Sequence, residues 1–518
     1  MATAIGYSTC CSASTRSPAP LPSIPSRLAV MRELVAQLLS LLSHFPIFSM
    51  SPPRKRGSRA SDDAVALDSR FRGNDIERLL GKKSRTLALL LVLTLLLPAA
   101  PAAAQSLNEA LAGAYQTNPV LQAARAQLRV TDELVPEALS GWRPTVNAEV
   151  EGGAGIDDNH DDGRLLGLAE LRITQPVYTG GRTGAAVNQA ENLVQAQRAQ
   201  LVAAEQQVLL QSVTAYMDVV RAEAVLTLNE GNEKVVRDQR DSARRRRTAG
   251  AASDTDVSQA ESRLALAGAQ RSQAEAALKS ARATYRQLIG DDPATLTPPV
   301  LPTGLPAGEE AAVAAAAGHP TVVAAEFAEK AARDGVDVVL GEMRPQVSVE
   351  GDLLTSKETA RILAKVTIPL YQAGGVDARA RSSKEQYGER RFDTETQQRQ
   401  TASEAAAAWY ALDAAGSQID SFDSQVATAR KALAGTRRDH DAGTRTLLDV
   451  LDAQQELLGA QTNLAGARHD QVVAAYRLLA AVGHLTARDL DLPVTPYDFE
   501  AHYLDVRDKF WGTGPALD

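Results

Sequence analysis

Cysteine is nearly missing from this 518-residue chain: the only two, Cys10 and Cys11, stand side by side near the start. Disulfide staples, thiolate metal sites and a cysteine nucleophile are therefore excluded from everything downstream. Aromatic residues make up only 4%, while Ala, Gln, Glu and Arg abound, a composition of long helices rather than of an all-β sandwich. Basic charge is also short. Residues 1–104 carry 13 Lys and Arg against 6 Asp and Glu, so the remainder of the 55 and 63 leaves 42 against 57. Such an acidic body argues against nucleic acid as a partner. No Gly-rich phosphate loop, no Ser/His/Asp constellation and no histidine pair at zinc spacing occurs, so neither an enzyme nor a cofactor is expected. The Asp157-Asp-Asn-His-Asp-Asp162 stretch is read as a solvated loop rather than a metal site.

Long apolar runs are scarce as well. Leu87–Leu97 gives eleven residues, preceded by Lys82, Lys83 and Arg85 and followed by Pro98 and Ala102-Ala-Ala104. Eleven are too few to cross about 30 Å of hydrocarbon. A basic start, a short apolar run and an Ala-x-Ala site instead predict a secretory signal peptide over 82–104, cut after Ala104. Residues 1–81 read as a mis-called or disordered extension, with translation expected to begin near Leu79 or Leu80.

What remains is one unit written twice. Asn118-Pro119 precedes Arg143-Pro144 by 25 residues, and His319-Pro320 precedes Arg344-Pro345 by the same 25. Pro176-Val-Tyr-Thr-Gly-Gly181 matches Pro369-Leu-Tyr-Gln-Ala-Gly-Gly375, and Gly250-to-Gly290 matches Gly443-to-Gly483 at 40 residues each. Repeats at 105–290 and 311–483, a Pro- and Gly-rich linker at 291–310 and a tail at 484–518 follow. The aromatic tail is expected to pack around the waist of the helical part.

Each unit reads helix, strand, strand, long helix, helix. Leu107–Leu139 has helical spacing behind Ser106 as a cap. Val347, Val349, Gly351 and Leu353 alternate with polar residues, as do Ile362, Ala364, Val366 and Ile368, which predicts strands with one apolar face. The first unit links its strands through a glycine- and aspartate-rich stretch, Gly152–Gly163, read as a loop. With no proline between Pro176 and Pro293, a helix from Arg182 to Thr248 would run roughly 100 Å, followed by another capped by Ser253. Helices of that length must pack as coiled coils. Strands of about ten residues suit an outer membrane. Lipid forbids open edges and four strands enclose no pore, so several copies must join. The Arg244–Arg247 run sits at a helix C-terminus, where positive charge is favourable, or serves as a partner contact.

The segment Gly443-Thr-Arg-Thr-Leu-Leu-Asp-Val-Leu-Asp-Ala-Gln-Gln-Glu-Leu457, with the Asn-Pro, Arg-Pro and Pro-Val-Tyr-x-Gly-Gly motifs, resembles the TolC family of outer-membrane efflux proteins. That resemblance implies a mainly α chain with a membrane β-barrel. Three copies would form a coiled-coil α-barrel tunnel continued by a twelve-stranded β-barrel, four strands from each. It implies a passive outer-membrane exit duct for protein secretion or drug efflux, its tunnel in the periplasm. The partners implied are a periplasmic adaptor and an inner-membrane ABC or proton-driven transporter. Asp449 and Asp452, one helical turn apart, match the family's paired aspartates, implying a six-carboxylate ring that favours cations. Arg445 matches the gating arginine and Asp256 its acidic partner. His440 stands where the family has tyrosine, close enough in that pattern to bond Asp256. Pro144, Pro176, Pro345 and Pro369 match its strand–helix junctions. The competing reading is a periplasmic coiled-coil adaptor or scaffold without a pore.

Overall fold

Proline at position 119 ends one helix and begins the next. The computed structural model describes residues 105–157, 160–354 and 359–514, with the backbone alone for those among 153–168 and at 354 and 359. The signal peptide, the N-terminal extension and the side chains of the 157–162 stretch lie outside the described residues. In place of one helix over Leu107–Leu139 there are three: α1 (Leu107–Thr117), α2 (Pro119–Asp132) and α3 (Leu134–Ser140). A residue before proline avoids the α region, and Asn118 is extended with its side chain accepting from the Val120 amide at 2.9 Å. Asn118-Pro119 is thus an N-cap followed by proline at N1. His319-Pro320 repeats the device between α6 (Glu309–Ala316) and α7 (Pro320–Gly341).

The strands are β1 (Thr145–Asp157), β2 (His160–Tyr178), β3 (Gln346–Leu354) and β4 (Thr359–Thr367), antiparallel in the order β1-β2-β3-β4. The Gly152–Gly163 stretch, expected as a loop, instead continues the β1–β2 ladder out to Asp157 opposite His160. Pro144 and Pro345 directly precede β1 and β3, and Pro369 follows β4. Pro176 departs from the junction reading: it lies inside β2, where the ladder to β3 slips a residue between Pro176 and Tyr178. Proline has no N–H to give, so a strand holding it bulges there. The period of two divides the sheet cleanly. One face carries Val146, Val150, Val349, Ile362 and Val366, with Val150 82% and Ile362 84% exposed. Such a face belongs in lipid, not water. The other face is ionic: Arg172 spans Glu170 and Asp352 at 2.6 and 3.2 Å, and Lys365 meets Glu350 at 3.1 Å.

From the sheet run α4 (Arg182–Thr248) and α8 (Gly375–Asp441), each 67 residues and so about 100 Å long. Each folds back through a tight turn, α4 onto α5 (Asp254–Ile289) and α8 onto α9 (Leu447–Ala481). The seams are narrow. Val450, Leu457 and Leu464 pack at heptad spacing against Val426, Ala429 and Leu433, and Val236, Ala243, Val257 and Ala260 against Leu447 and Leu451. Alanine at these positions lets helices approach closely along the supercoil.

Midway, the largest core gathers α1, α2, α4, the end of α5, α9 and the tail. Gln105 pairs with the inter-repeat linker, its amide donating to the Thr295 carbonyl at 2.9 Å. The Tyr285 hydroxyl donates to the Gln105 side chain at 2.8 Å. The tail is fastened by polar groups. Glu205, buried, accepts from the Ala487 amide at 2.6 Å; Arg125 lies over the Tyr115 and Tyr497 rings; and in α10 (Ala501–Val506) His502 reaches buried Asp132 at 3.0 Å.

His469 on α9 joins the two repeats lower down. Its Nε2 lies 3.2 Å from Asp218 on α4 and its Nδ1 2.8 Å from Asp470. Burial and the charge on Arg221 work against its protonation, but the two carboxylates outweigh them and raise its pKa above the ordinary 6.5. A histidine whose folded pKa is raised contributes stability that is complete below its unfolded value and fades as pH rises through the folded one. Heat resistance of the purified protein should therefore fall as pH rises from about 6.5, and His469→Gln should flatten that dependence. An unflattened profile assigns the effect elsewhere.

Candidate functional site

The far ends of the two helical hairpins are built alike. After α4, Gly250 (φ +74°) takes the left-handed conformation, and the amides of Gly250 and Ala251 donate to the carbonyls of Arg247 and Arg246 at 2.9 and 2.8 Å. After α8, Gly443 (φ +79°) does the same, with Gly443 and Thr444 donating to His440 and Asp439 at 2.9 Å each. No atom crowds the space a Cβ would fill at either glycine, so it is the positive φ that demands glycine. Three residues later each turn caps the next helix. The Ser253 hydroxyl accepts from the Asp256 amide at 3.1 Å, and Asp256 returns the bond from the Ser253 amide at 3.0 Å. Thr446 and Asp449 repeat this at 3.2 and 2.9 Å. Both are capping boxes with aspartate in the third position.

These bonds decide what the acidic residues do. Within this chain Asp256 is bonded through Oδ2 to Ser253 and makes no ion pair with Arg445 or His440. Arg445 approaches Asp449 instead, at 3.8 Å within its own turn. Hydrogen bonds from the Thr446 hydroxyl and amide, followed by the charge of Arg445, hold the Asp449 carboxyl below the usual range. It therefore stays ionised in mildly acidic solution. Asp452, one turn along α9 on the same face, accepts from Arg263 of α5 at 2.5 Å.

His440 is bonded from both sides. Its Nδ1–H donates to the Arg445 carbonyl at 3.0 Å, which leaves Nε2 to accept from Arg246 of α4 at 2.7 Å. Arg246 also lies 3.5 Å from Asp441. Asp256, His440 and Arg445 thus share the wall of one cavity of about 440 Å³ between the hairpins, although the bonds among them differ from the expected ones. Two residues that the sequence reading did not assign to the gate make ionic or charge-assisted cross-hairpin links, Arg246 and Arg263, beside the Gln454–Asn232 bond at 3.3 Å. Arg246 had a signal, the Arg244–Arg247 run. Three of the four arginines there are engaged within the chain, Arg244 with Glu261 and Arg247 with Asp254, each at 2.5 Å. Arg263 had none, because nothing in sequence brings it beside a residue 189 positions away. Among the described residues, no cluster of His, Cys, Asp and Glu is arranged to hold a metal.

An amphipathic sheet with bare edges, carried on coiled coils about 100 Å long whose far tips are joined by ionic links, defines a subunit of a membrane-spanning exit duct. The chain belongs to the outer membrane efflux protein family, which it matches twice, over residues 110–291 and 312–484. It is 36% identical to the outer membrane efflux protein BepC of Brucella suis over 422 residues, covering 79% of this chain and 92% of that protein. With the outer membrane protein TolC of Vibrio cholerae it shares 24% over 413 residues, 75% of this chain and 92% of that one. The solved Campylobacter jejuni CmeC outer membrane channel has the same fold at a TM-score of 0.67 and 14% identity, covering 78% of this chain and 89% of that one. The TolC-family resemblance, the mainly α fold with a membrane barrel, the outer-membrane location and the exit-duct function read from the sequence all hold. The chain is a channel protein of secretion or efflux, and the pore-free scaffold is set aside.

Proposed function

We propose that three copies close into a twelve-stranded barrel continued by a twelve-helix tunnel, whose periplasmic entrance is ringed by Asp449 and Asp452 from each chain. The observation that carries this is the tip: two acidic residues share one face of α9, and the hairpins meet there through a small apolar contact of Leu447 and Leu451 with Val257 and Ala260 and through exposed polar links, Arg246 to His440 and Arg263 to Asp452. Exposed ion pairs are worth about 0–1 kcal/mol each. A closed entrance held by a few such links is stable at rest and yields to a protein partner. The partner is a periplasmic adaptor delivering cargo from an inner-membrane transporter, of the ABC or the proton-driven kind. No chemistry is performed on the cargo; the transporter supplies the energy. Pro144, Pro345 and Pro369 set the swivels between barrel and tunnel, where proline fixes φ and ends the ladder. Mass measurement of the detergent-purified protein, paired with recordings in planar bilayers, tests the reading. A three-chain particle that conducts supports it; a single-chain particle without channels sinks it.

A further inference from the structure

The duplication extends into the sheet with its register intact. Arg143-Pro-Thr-Val-Asn-Ala-Glu-Val-Glu151, entering β1, aligns with Arg344-Pro-Gln-Val-Ser-Val-Glu-Gly-Asp352, entering β3, so these positions lie 201 apart. Arg172-Ile-Thr-Gln-Pro-Val-Tyr178 of β2 aligns with Lys365-Val-Thr-Ile-Pro-Leu-Tyr371 of β4 and beyond, 193 apart. The ladders obey both offsets: Asn147 stands opposite Arg172 in the first hairpin, and Ser348 opposite Lys365 in the second.

One ladder joins the two repeats, β2 to β3. There Arg172 faces Asp352 directly, with an ion pair at 3.2 Å and the aspartate only 6% exposed. Carrying Arg172 forward by 193 gives Lys365, and carrying Asp352 back by 201 gives Glu151. Both sit on edge strands, on the ionic face, and both are exposed. The charges fit a missing neighbour. On β1, Glu149 stands directly opposite Glu170, a like-charge pairing that destabilises a ladder, and neither Glu149 nor Glu151 has an ion-pair partner among the described residues. On β4, Lys365 is 59% exposed beyond its contact with Glu350. The β1 edge thus carries acid without an ion-pair partner among the described residues, and the β4 edge carries base, Arg361 and Lys365, held on one side only by Asp352 and Glu350 of β3.

We propose that β4 of one copy pairs antiparallel with β1 of a second copy in the register of the β2–β3 ladder, placing Lys365 opposite Glu151 and Thr367 opposite Glu149 on the lumenal face. The inference rests on the closed-barrel reading and adds its subunit seam. Two different edges meet, so the contact is head-to-tail and propagates until a ring closes.

Cysteine pairs introduced into the full chain, with Cys10 and Cys11 replaced by serine, test the register. Oxidation of Glu149→Cys/Thr367→Cys or of Val150→Cys/Val366→Cys should link most chains into covalent multimers. Two pairs are used because directly opposite positions alternate between two spacings. Glu149→Cys/Lys365→Cys, two residues out of step, should link little, since a disulfide needs Cβ atoms about 4 Å apart. Charge exchange is the second arm: Lys365→Glu and Glu151→Lys should each lower the temperature at which the assembly dissociates in detergent, and the two together should restore it. Strong linking of the out-of-step pair in a protein that still conducts overturns the seam and leaves the duct standing. Absence of linking from every pair in a protein that neither inserts nor conducts overturns both.

Discussion

Asp449→Asn/Asp452→Asn is expected to abolish the cation preference of the channel: under a salt gradient across a planar bilayer, the reversal potential should move to near zero. In the proposed three-chain duct, six carboxylates in a narrow ring would set the sign of the permeant ion, and the double variant removes all six while keeping side chains of the same size. The two positions should not contribute equally. Asp452 already holds Arg263 as a counter-charge at 2.5 Å, whereas Asp449 is held mainly by the uncharged groups of Thr446, with Arg445 at 3.8 Å. Asp449→Asn alone should therefore shift the potential more than Asp452→Asn. Arg263→Ala should increase cation preference by uncovering Asp452. Unchanged selectivity in the double variant would place the constriction elsewhere along the tunnel.

The second large effect concerns the closed state. Arg246→Ala/Arg263→Ala removes these two polar links from every copy in the duct, and resting conductance should rise about tenfold or more, since 1.4 kcal/mol is a factor of ten in a population and each exposed pair supplies about 0–1 kcal/mol in each copy. Each single variant should rise by a smaller factor. Arg445→Ser should raise it least, because Arg445 faces Asp449 within its own turn and not the opposite hairpin. Recordings without any partner protein measure all four. A double variant that leaks no more than the parent would mean that contacts between chains or the apolar patch of Leu447 and Leu451, not these links, keep the entrance shut.

The parts of the fold legible in sequence were those with local causes. Helix α4 runs over the expected Arg182–Thr248 because glycine bounds it and proline is absent between. Ser106 and Ser253 cap where the spacing placed them. The alternation of β3 and β4 named their apolar face. Local chemistry also explains one miss: Asn118-Pro119 is a helix start, but it was used only as a landmark of the repeat. The extended β1–β2 ladder was missed because Gly and Asp suit turns yet also tolerate pairing. The tip was half legible. Asp449 and Asp452 were picked out by their motif, but the bonds of Asp256 and His440 depend on which neighbour reaches them first. Arg246 and His440 lie 194 positions apart, and only the packing of one hairpin on the other makes them neighbours.

The capping boxes at the tips have a kinetic consequence. Each turn satisfies its own donors through Gly250 with Ser253–Asp256, or Gly443 with Thr446–Asp449, and none of those bonds crosses between hairpins. Separating the hairpins therefore melts no backbone structure: the tips travel as finished pieces, and what parts is side-chain contact, the exposed polar links together with the small apolar patch of Leu447 and Leu451 on Val257 and Ala260. Backbone amides at both turns should show the same deuterium uptake whether the entrance is shut or held wide. The pace of opening then belongs to the encounter with the partner and not to any refolding step in this chain.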